Sequence, residues 1–282
     1  MRRIVVALNL CAASVVQAED CSAVQTCVEQ GWQVNVALGL GARSNPLDGG
    51  DRIPLVVMPD ISWYGDNAYF DNGEFGAQWS WSEDDAFDLF LAINSERAYF
   101  SFWHPKNIFL TRVFVADNAP DQPGFSAESI ALNIENIGER HWAVDAGLRW
   151  HHYRGAGEWQ IALLGDASGV HHGQQFSLRY QHQWSLADGE LQTFIGATWK
   201  SAALIDYYYG IDQHDHVAPE LYYRGQSGWQ PELGVSYTLA INKEWQWLMR
   251  ASIVKLHDGM TRSPIVADER VTTVFMGVTY HF

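Results

Sequence analysis

The sequence predicts an all-β fold, a transmembrane antiparallel barrel of about twelve strands, with ten or fourteen as the alternatives. Three observations predict it: apolar residues alternate with small or polar ones along most of the chain, tryptophans sit at the ends of those runs, and no apolar run is long enough for a spanning helix. After residue 20 the longest stretch free of Asp, Glu, Lys and Arg is Gln30 to Ala42, short of the roughly 20 residues with which a helix crosses a bilayer. The chain of 282 residues is 47% hydrophobic and 13% aromatic, too apolar for a disordered protein. Its 18 Lys and Arg against 33 Asp and Glu give a net charge of −15. There is no cationic footprint for nucleic acid or an anionic lipid surface.

The elements follow in order. Met1 to Ala18 carries Arg2 and Arg3, an uncharged run from Ile4, and small residues at Val16 and Ala18, the pattern of a cleaved secretory signal. Neither Cys11 nor Cys21 follows the small residue that a lipidated cysteine requires. Export makes Cys21 and Cys27 eligible for a disulfide across Ser22 to Thr26, with free thiols as the alternative. Residues 19–31 are expected to form a periplasmic segment and 32–282 the barrel.

In the first strand Trp32, Val34, Val36, Leu38 and Leu40 alternate with Gln33, Asn35, Ala37 and Gly39, a period of two. Further runs cover 53–63, 68–82 and 86–95, then 142–153, 158–166, 174–186 and 190–201, and finally 229–240, 244–256 and 271–282. These are eleven, and a single-chain barrel has an even number. The twelfth is expected from 98–134 or 204–211. Arg154-Gly155-Ala156-Gly157, Ala187-Asp188-Gly189 and Ile241-Asn242-Lys243 read as turns. The turn at 241–243 is expected on the periplasmic side, and the longer segments 211–227 and 257–269 outside.

A soluble sandwich would concentrate its rings in mid-strand. Here Trp32, Trp63, Trp81, Trp150, Trp184, Trp199 and Trp245 sit at strand ends, as in the aromatic girdles of a barrel at two membrane interfaces. On the opposite face Arg149, Arg179, Arg250, Gln181, Gln183 and Phe194 would line and narrow a lumen.

Asp206-Tyr207-Tyr208-Tyr209-Gly210-Ile211, then Ser236-Tyr237-Thr238-Leu239, Arg262-Ser263-Pro264-Ile265-Val266 and the closing Tyr280-His281-Phe282 occur in an order that resembles the MipA/OmpV family of Gram-negative outer-membrane proteins. Gly39-Leu40-Gly41, the Ile53 to Trp63 run with Pro54 and Pro59, and Leu163-Leu164-Gly165-Asp166 are also similar to it. The stretch from Ala86 to Gly138 departs from the family pattern. The resemblance implies an outer-membrane barrel. In the name-giving member it implies a scaffold joining a lytic transglycosylase that degrades murein to a bifunctional penicillin-binding protein. Phe282, with Tyr280 and Val278 on its face, looks like the terminal signature read by the barrel-insertion machinery. Pro264 cannot donate to a ladder and belongs in a loop or at an edge.

No catalytic, cofactor or metal site is expected. His151 and His152 point to opposite faces of a strand and cannot share an ion. His171-His172 lies at a turn. His214-Asp215-His216 with Asp212 is the densest cluster of metal-ligand types, without a further ligand at a defined spacing. Asp84-Asp85 and the Asp212/His214 pair, both expected outside, resemble the carboxylate and Asp/His pairs of omptin-type surface proteases, in which a His activates water. Three functions therefore stand: a partner-binding scaffold, which is favoured, a narrow solute channel, and a surface protease.

Overall fold

The computed structural model describes residues 30–110, 137–215 and 217–282. Twelve antiparallel strands form a closed barrel, each pairing with its sequence neighbours and β1 closing on β12. They are β1 (Gly31–Arg43), β2 (Ile53–Tyr64), β3 (Ala68–Asp71), β4 (Glu74–Ser80), β5 (Asp85–Ile93), β6 (Val144–Arg154), β7 (Gly157–Asp166), β8 (Gln174–Leu186), β9 (Gly189–Lys200), β10 (Gly228–Ala240), β11 (Trp245–Lys255) and β12 (Arg270–His281). Closure gives every strand a neighbour on each side along at least part of its length, which is what lipid demands of a sheet. The helices are short: α1 (Pro105–Ile108), α2 (Ala202–Tyr209) and α3 (Asp258–Thr261). None is long and apolar enough to cross a membrane. The signal, Cys21, Cys27 and His216 lie outside the described residues.

Alternation sets which face meets lipid. Leu40, Leu89, Leu148, Leu163, Ile195, Leu233 and Met276 are exposed on the outer wall, whereas Ala37, Asp88, Arg179, Gln230 and Phe275 face inward and are buried. At one end the connections are short, at 65–67, 81–84, 155–156, 187–188 and 241–244; at the other they run through 44–52, 94–143, 201–227 and 256–269. Short turns mark the periplasmic end and long loops the outer end. Trp32 pairs with Trp63 at the periplasmic end, and Trp199 with Trp229 at the outer end. Two aromatic girdles thus flank the apolar band.

Two expectations about elements need correction. Residues 68–82 are not one strand. Asn72 (φ 48°) and Gly73 (φ 98°) turn the chain back so that Asp71 pairs with Glu74. Both central residues of such a two-residue hairpin need positive φ, which Asn-Gly tolerates. The twelfth strand comes from this split. Residues 204–211, offered as a source for it, are instead mostly α2: Ala202, Ala203 and Leu204 are strong helix formers, and the Ser201 hydroxyl caps the start by accepting from the Leu204 amide.

The β3–β4 hairpin ends at part height. β2 pairs with β3 only at Ser62, Trp63 and Tyr64, so its outer-end half lacks a strand neighbour on that side among the described residues. The stretch ending at Leu110 closes part of this gap. The Leu110 amide donates to the Pro59 carbonyl at 2.7 Å, and α1 lies against β2. Because Pro59 points its backbone polar groups to this open side, its missing N–H leaves no ladder bond unmade. The Asn72 side chain joins the pieces, accepting from the Ile61 amide at 2.9 Å and donating to Asp60 at 2.8 Å and to the Leu110 carbonyl at 3.1 Å.

Candidate functional site: a lumen beneath a cap of outer loops

The outer loops fold over the barrel mouth and make a hydrophobic core of their own. Leu47, Tyr99, Leu204, Ile205, Tyr208, Tyr209, Ile211, Leu256, Met260 and Ile265 from four loops pack with Val254 and Val271 at the strand ends, all buried. A backbone bridge between Leu47 and Val266 ties two of the loops together, and one between Ile211 and Tyr223 closes the 201–227 loop on itself. The Ser263 hydroxyl donates to the Tyr209 carbonyl at 2.5 Å, and the Arg140 guanidinium reaches the Gly210 carbonyl at 2.8 Å and Asp215 at 3.0 Å.

Beneath this cap lies a buried ion pair. Glu96 accepts from Lys200 at 2.5 Å and from the Tyr209 hydroxyl at 2.6 Å. Burial on its own would raise the Glu96 carboxyl, but Lys200, Lys106 and the two hydrogen bonds outweigh it and hold the group below its usual range. Lys106, in α1, is pulled the other way: burial, then the charge of Arg43, lowers it to about 7. Two histidines cap the short cap helices. His104 Nδ1 accepts from the Lys106 amide at 3.1 Å while its Nε2 lies 3.0 Å from the Asn94 carbonyl. His257 Nδ1 accepts from the Gly259 amide at 3.1 Å. Burial is the main cause that lowers them, His104 to about 3 and His257 to about 4.

From the periplasmic turns upward runs a cavity of about 1070 Å³. Its wall is polar and internally paired. Arg149 holds Glu74 through two bonds, at 3.0 and 2.7 Å, and reaches Asp88 at 3.3 Å. His151 lies between Asp88, 3.0 Å from Nε2, and Glu158, 2.5 Å from Nδ1. Gln78 donates to Asp88, and Gln160 and Gln181 donate to Glu158. Higher up, Arg179 holds Glu232 at 2.6 Å. A local device recurs: Phe90 lies over Gly147 with Arg149 stacked on the ring at 4.1 Å, and Phe194 lies over Gly234 with Arg179 at 4.3 Å. A side chain at either glycine would strike the ring.

The residues singled out from the sequence fall in distinct places. Tyr207, Tyr208, Tyr209, Gly210, Ser263 and Pro264 meet in the cap. Tyr280 and Phe282 lie on the outer wall at the periplasmic rim, their rings 4.7 Å apart. Arg149, Arg179, Gln181 and Gln183 line the cavity. Phe194 and Arg250 share the inward face of their strands. His151 and His152 do part to opposite faces: the first joins the cavity wall, and the second pairs with Asp85 at 3.0 Å on the outside.

The protease-like pairs do not come together. Asp84 ends the periplasmic turn before β5 and Asp85 begins that strand, whereas Asp212/His214 lies in the outer loop after β9, so the expectation that both face outside is wrong. Working back along the strands, each short turn alternates ends with each long loop, and the split of 68–82 puts Asp84-Asp85 on the short-turn side. Nor do the ligand types at 212–215 converge, since His214 turns to Asp212 while Asp215 is buried against Arg140. A different group, Asp145, Asp166 and His171, brings its donor atoms within 4.8 Å of one another. Its groups are satisfied within the protein: Asp145 takes Asn94, Gln175 and His171, and Asp166 takes the backbone amides of Ser168, Gly169, His171 and His172. The group staples the 167–173 loop.

Sequence reading missed the acidic half of the lumen, Glu74, Asp88, Glu158 and Glu232, and the Glu96 anchor. The first four sit at inward positions of alternating runs and were legible from the period alone. Glu96 carries no such signal, because it lies in a 3₁₀ turn.

The chain is similar to several known proteins. A family model described as "MltA-interacting protein MipA" covers residues 36–282. The MltA-interacting protein of Escherichia coli (strain K12) is 24% identical over 249 residues, which span 88% of this chain and 90% of that protein. Outer membrane protein Omp26La of Vibrio anguillarum is 25% identical over 54% of this chain and 59% of its own length. Outer membrane protein OmpV of Vibrio cholerae is 24% identical over the same shares. Among solved structures, an outer membrane channel from Pseudomonas putida F1 aligns over 94% of this chain and all of its own, with 10% identity and a TM-score of 0.40. A twelve-stranded barrel with girdles at both interfaces, matched by that model over nearly its whole described length, is an outer-membrane protein, and the chain belongs to the MipA family.

Proposed function

We propose that this protein is a non-catalytic scaffold that offers its periplasmic face to a partner from the cell-wall machinery. The observation that carries the reading is the asymmetry of the barrel: a packed hydrophobic cap at the outer mouth, and a polar cavity whose lining includes the turns at 65–67 and 155–156 at the other. A partner in the periplasm would meet the end where that cavity lies. The name of the E. coli relative points to a lytic transglycosylase as the partner, and a penicillin-binding protein would complete the link between murein degradation and synthesis. Crosslinking in intact envelopes followed by pull-down tests this. Recovery of a lytic transglycosylase, lost when Asp66 and Asn67 in the 65–67 turn and Ala156 in the 155–156 turn are replaced by bulky residues, is the expected result. Recovery of insertion machinery and lipid alone overturns it.

The polar lumen favours a second reading, a narrow channel for small solutes. It requires the cap to open, and planar-bilayer conductance distinguishes the two.

A further inference from the structure

On the outer wall, at the periplasmic rim, three aromatic side chains and a carboxylate enclose a small recess. Asp85 and Phe87 on β5 and Trp150 on β6 are outward positions, since Asp88 and Arg149 in the alternate positions face the lumen. Phe87 pairs directly with Trp150, and Asp85 with His152. Trp81, just past β4, is 82% exposed, and its ring stands edge-on to Phe87 at 6.3 Å. Together Trp81, Asp85, Phe87 and Trp150 line a cavity of about 280 Å³.

The carboxylate is held in place. Asp85 Oδ1 accepts from Trp150 Nε1 at 3.0 Å and lies 3.0 Å from His152 Nδ1, and Oδ2 accepts from the Ser82 hydroxyl at 2.8 Å. Among the described residues its sole ion-pair partner is His152, which is charged only if protonated. No Lys or Arg of the described chain sits over Trp81, Phe87 or Trp150. An anion on the lipid-facing side, lined by three aromatic side chains, one of them stacked on His152 at 5.6 Å, and without a Lys or Arg ion pair among the described residues, has the chemistry to receive an ammonium group.

We propose that Trp81, Phe87, Trp150 and Asp85 bind the primary ammonium headgroup of a zwitterionic phospholipid in the periplasm-facing leaflet. The position selects the source. The recess opens from the wall at the level where the tryptophan girdle meets headgroups, so a headgroup ammonium arrives already concentrated there. The fixed carboxylate repels an anionic headgroup of the same size. A free amine in the periplasm shares the ammonium chemistry but lacks the acyl chains that hold it against the wall.

Native mass spectrometry of the purified full-length protein, titrated with equal amounts of phosphatidylethanolamine and phosphatidylglycerol, tests the site. The wild type is expected to retain phosphatidylethanolamine about tenfold better, the order given by an aromatic cage with a fixed charge. Asp85→Asn, which keeps acceptor oxygen for Trp150, is expected to abolish that preference, and so is Trp81→Ala. Heat-modifiable migration on gels reports whether each barrel is folded, and the exposure of Trp81 makes its replacement the safe variant should Asp85→Asn fold poorly. Equal retention of the two lipids by the wild type, or a preference that survives both substitutions, overturns the site. Displacement of the lipid by millimolar free ethanolamine would overturn the lipid assignment in favour of a soluble amine.

Discussion

His104 and His257 show how single groups tie the cap to pH. Each Nδ1 must be unprotonated to accept the amide that starts its helix, and their folded values of about 3 and 4 lie below the ordinary histidine value of about 6.5. Above that ordinary value the docked and undocked forms of both histidines are neutral, and their contribution to the stability of the cap is complete. As pH falls below it, the undocked form takes up protons that the docked form refuses, and stability declines until about pH 3 to 4. Glu96, also depressed, adds a loss of the same sign at the acid end of this range. Amide exchange at 104–110 and 257–263, corrected for its intrinsic rate, is therefore expected to show weaker protection at pH 5 than at pH 7. Asn at both positions, which caps without titrating, should flatten the difference. Lys200→Met leaves Glu96 as a buried charge without its cation, at a cost of about 3 to 5 kcal/mol, and Glu96→Gln in the same chain should recover much of it, as read by urea unfolding. The tyrosine triplet was visible through its family resemblance. Its partner Glu96 was not, because a contact across more than a hundred residues leaves no local trace.

At the scale of elements, period-two alternation made the strands legible and misled only where a turn kept their rhythm. Phe70 and Phe75 both face outward, yet they are five positions apart, an odd spacing that one strand cannot place on one face. Asn72-Gly73 between them is the strongest short hairpin signal there is, and the alternation from Phe75 to Trp81 hid it. Gly73→Val is expected to destabilise the barrel by about 1 to 3 kcal/mol, because φ is 98° and a Cβ there would lie 3.2 Å from Pro105. Gly165→Ala, with negative φ and open space around it, is the matched control and should change little. Urea midpoints of the two variants, measured side by side, check the contrast. The helix α2 was harder to foresee, because Tyr207, Tyr208 and Tyr209 favour strands by propensity and only packing in the cap overrides it.

For the whole molecule, the outward apolar wall, the girdles and the closed sheet follow from composition and alternation, whereas the packed core among the outer loops does not. The cap joins loops that are remote in sequence, and Leu, Ile and Tyr in a loop carry no periodicity to announce a core. Planar-bilayer recordings are expected to show no steady conductance from the wild type. Tyr208→Ala with Tyr209→Ala, which empties two fully buried positions, should admit flickering currents. Steady wild-type conductance would favour the channel reading instead. The part-height β3–β4 hairpin has a consequence for biogenesis. A barrel released into the bilayer with α1 undocked would present the edge of β2 to hydrocarbon, where each unsatisfied backbone group costs several kcal/mol. Docking of the 94–110 segment before release would cover part of that edge, so that a loop as well as the strands takes part in building this wall.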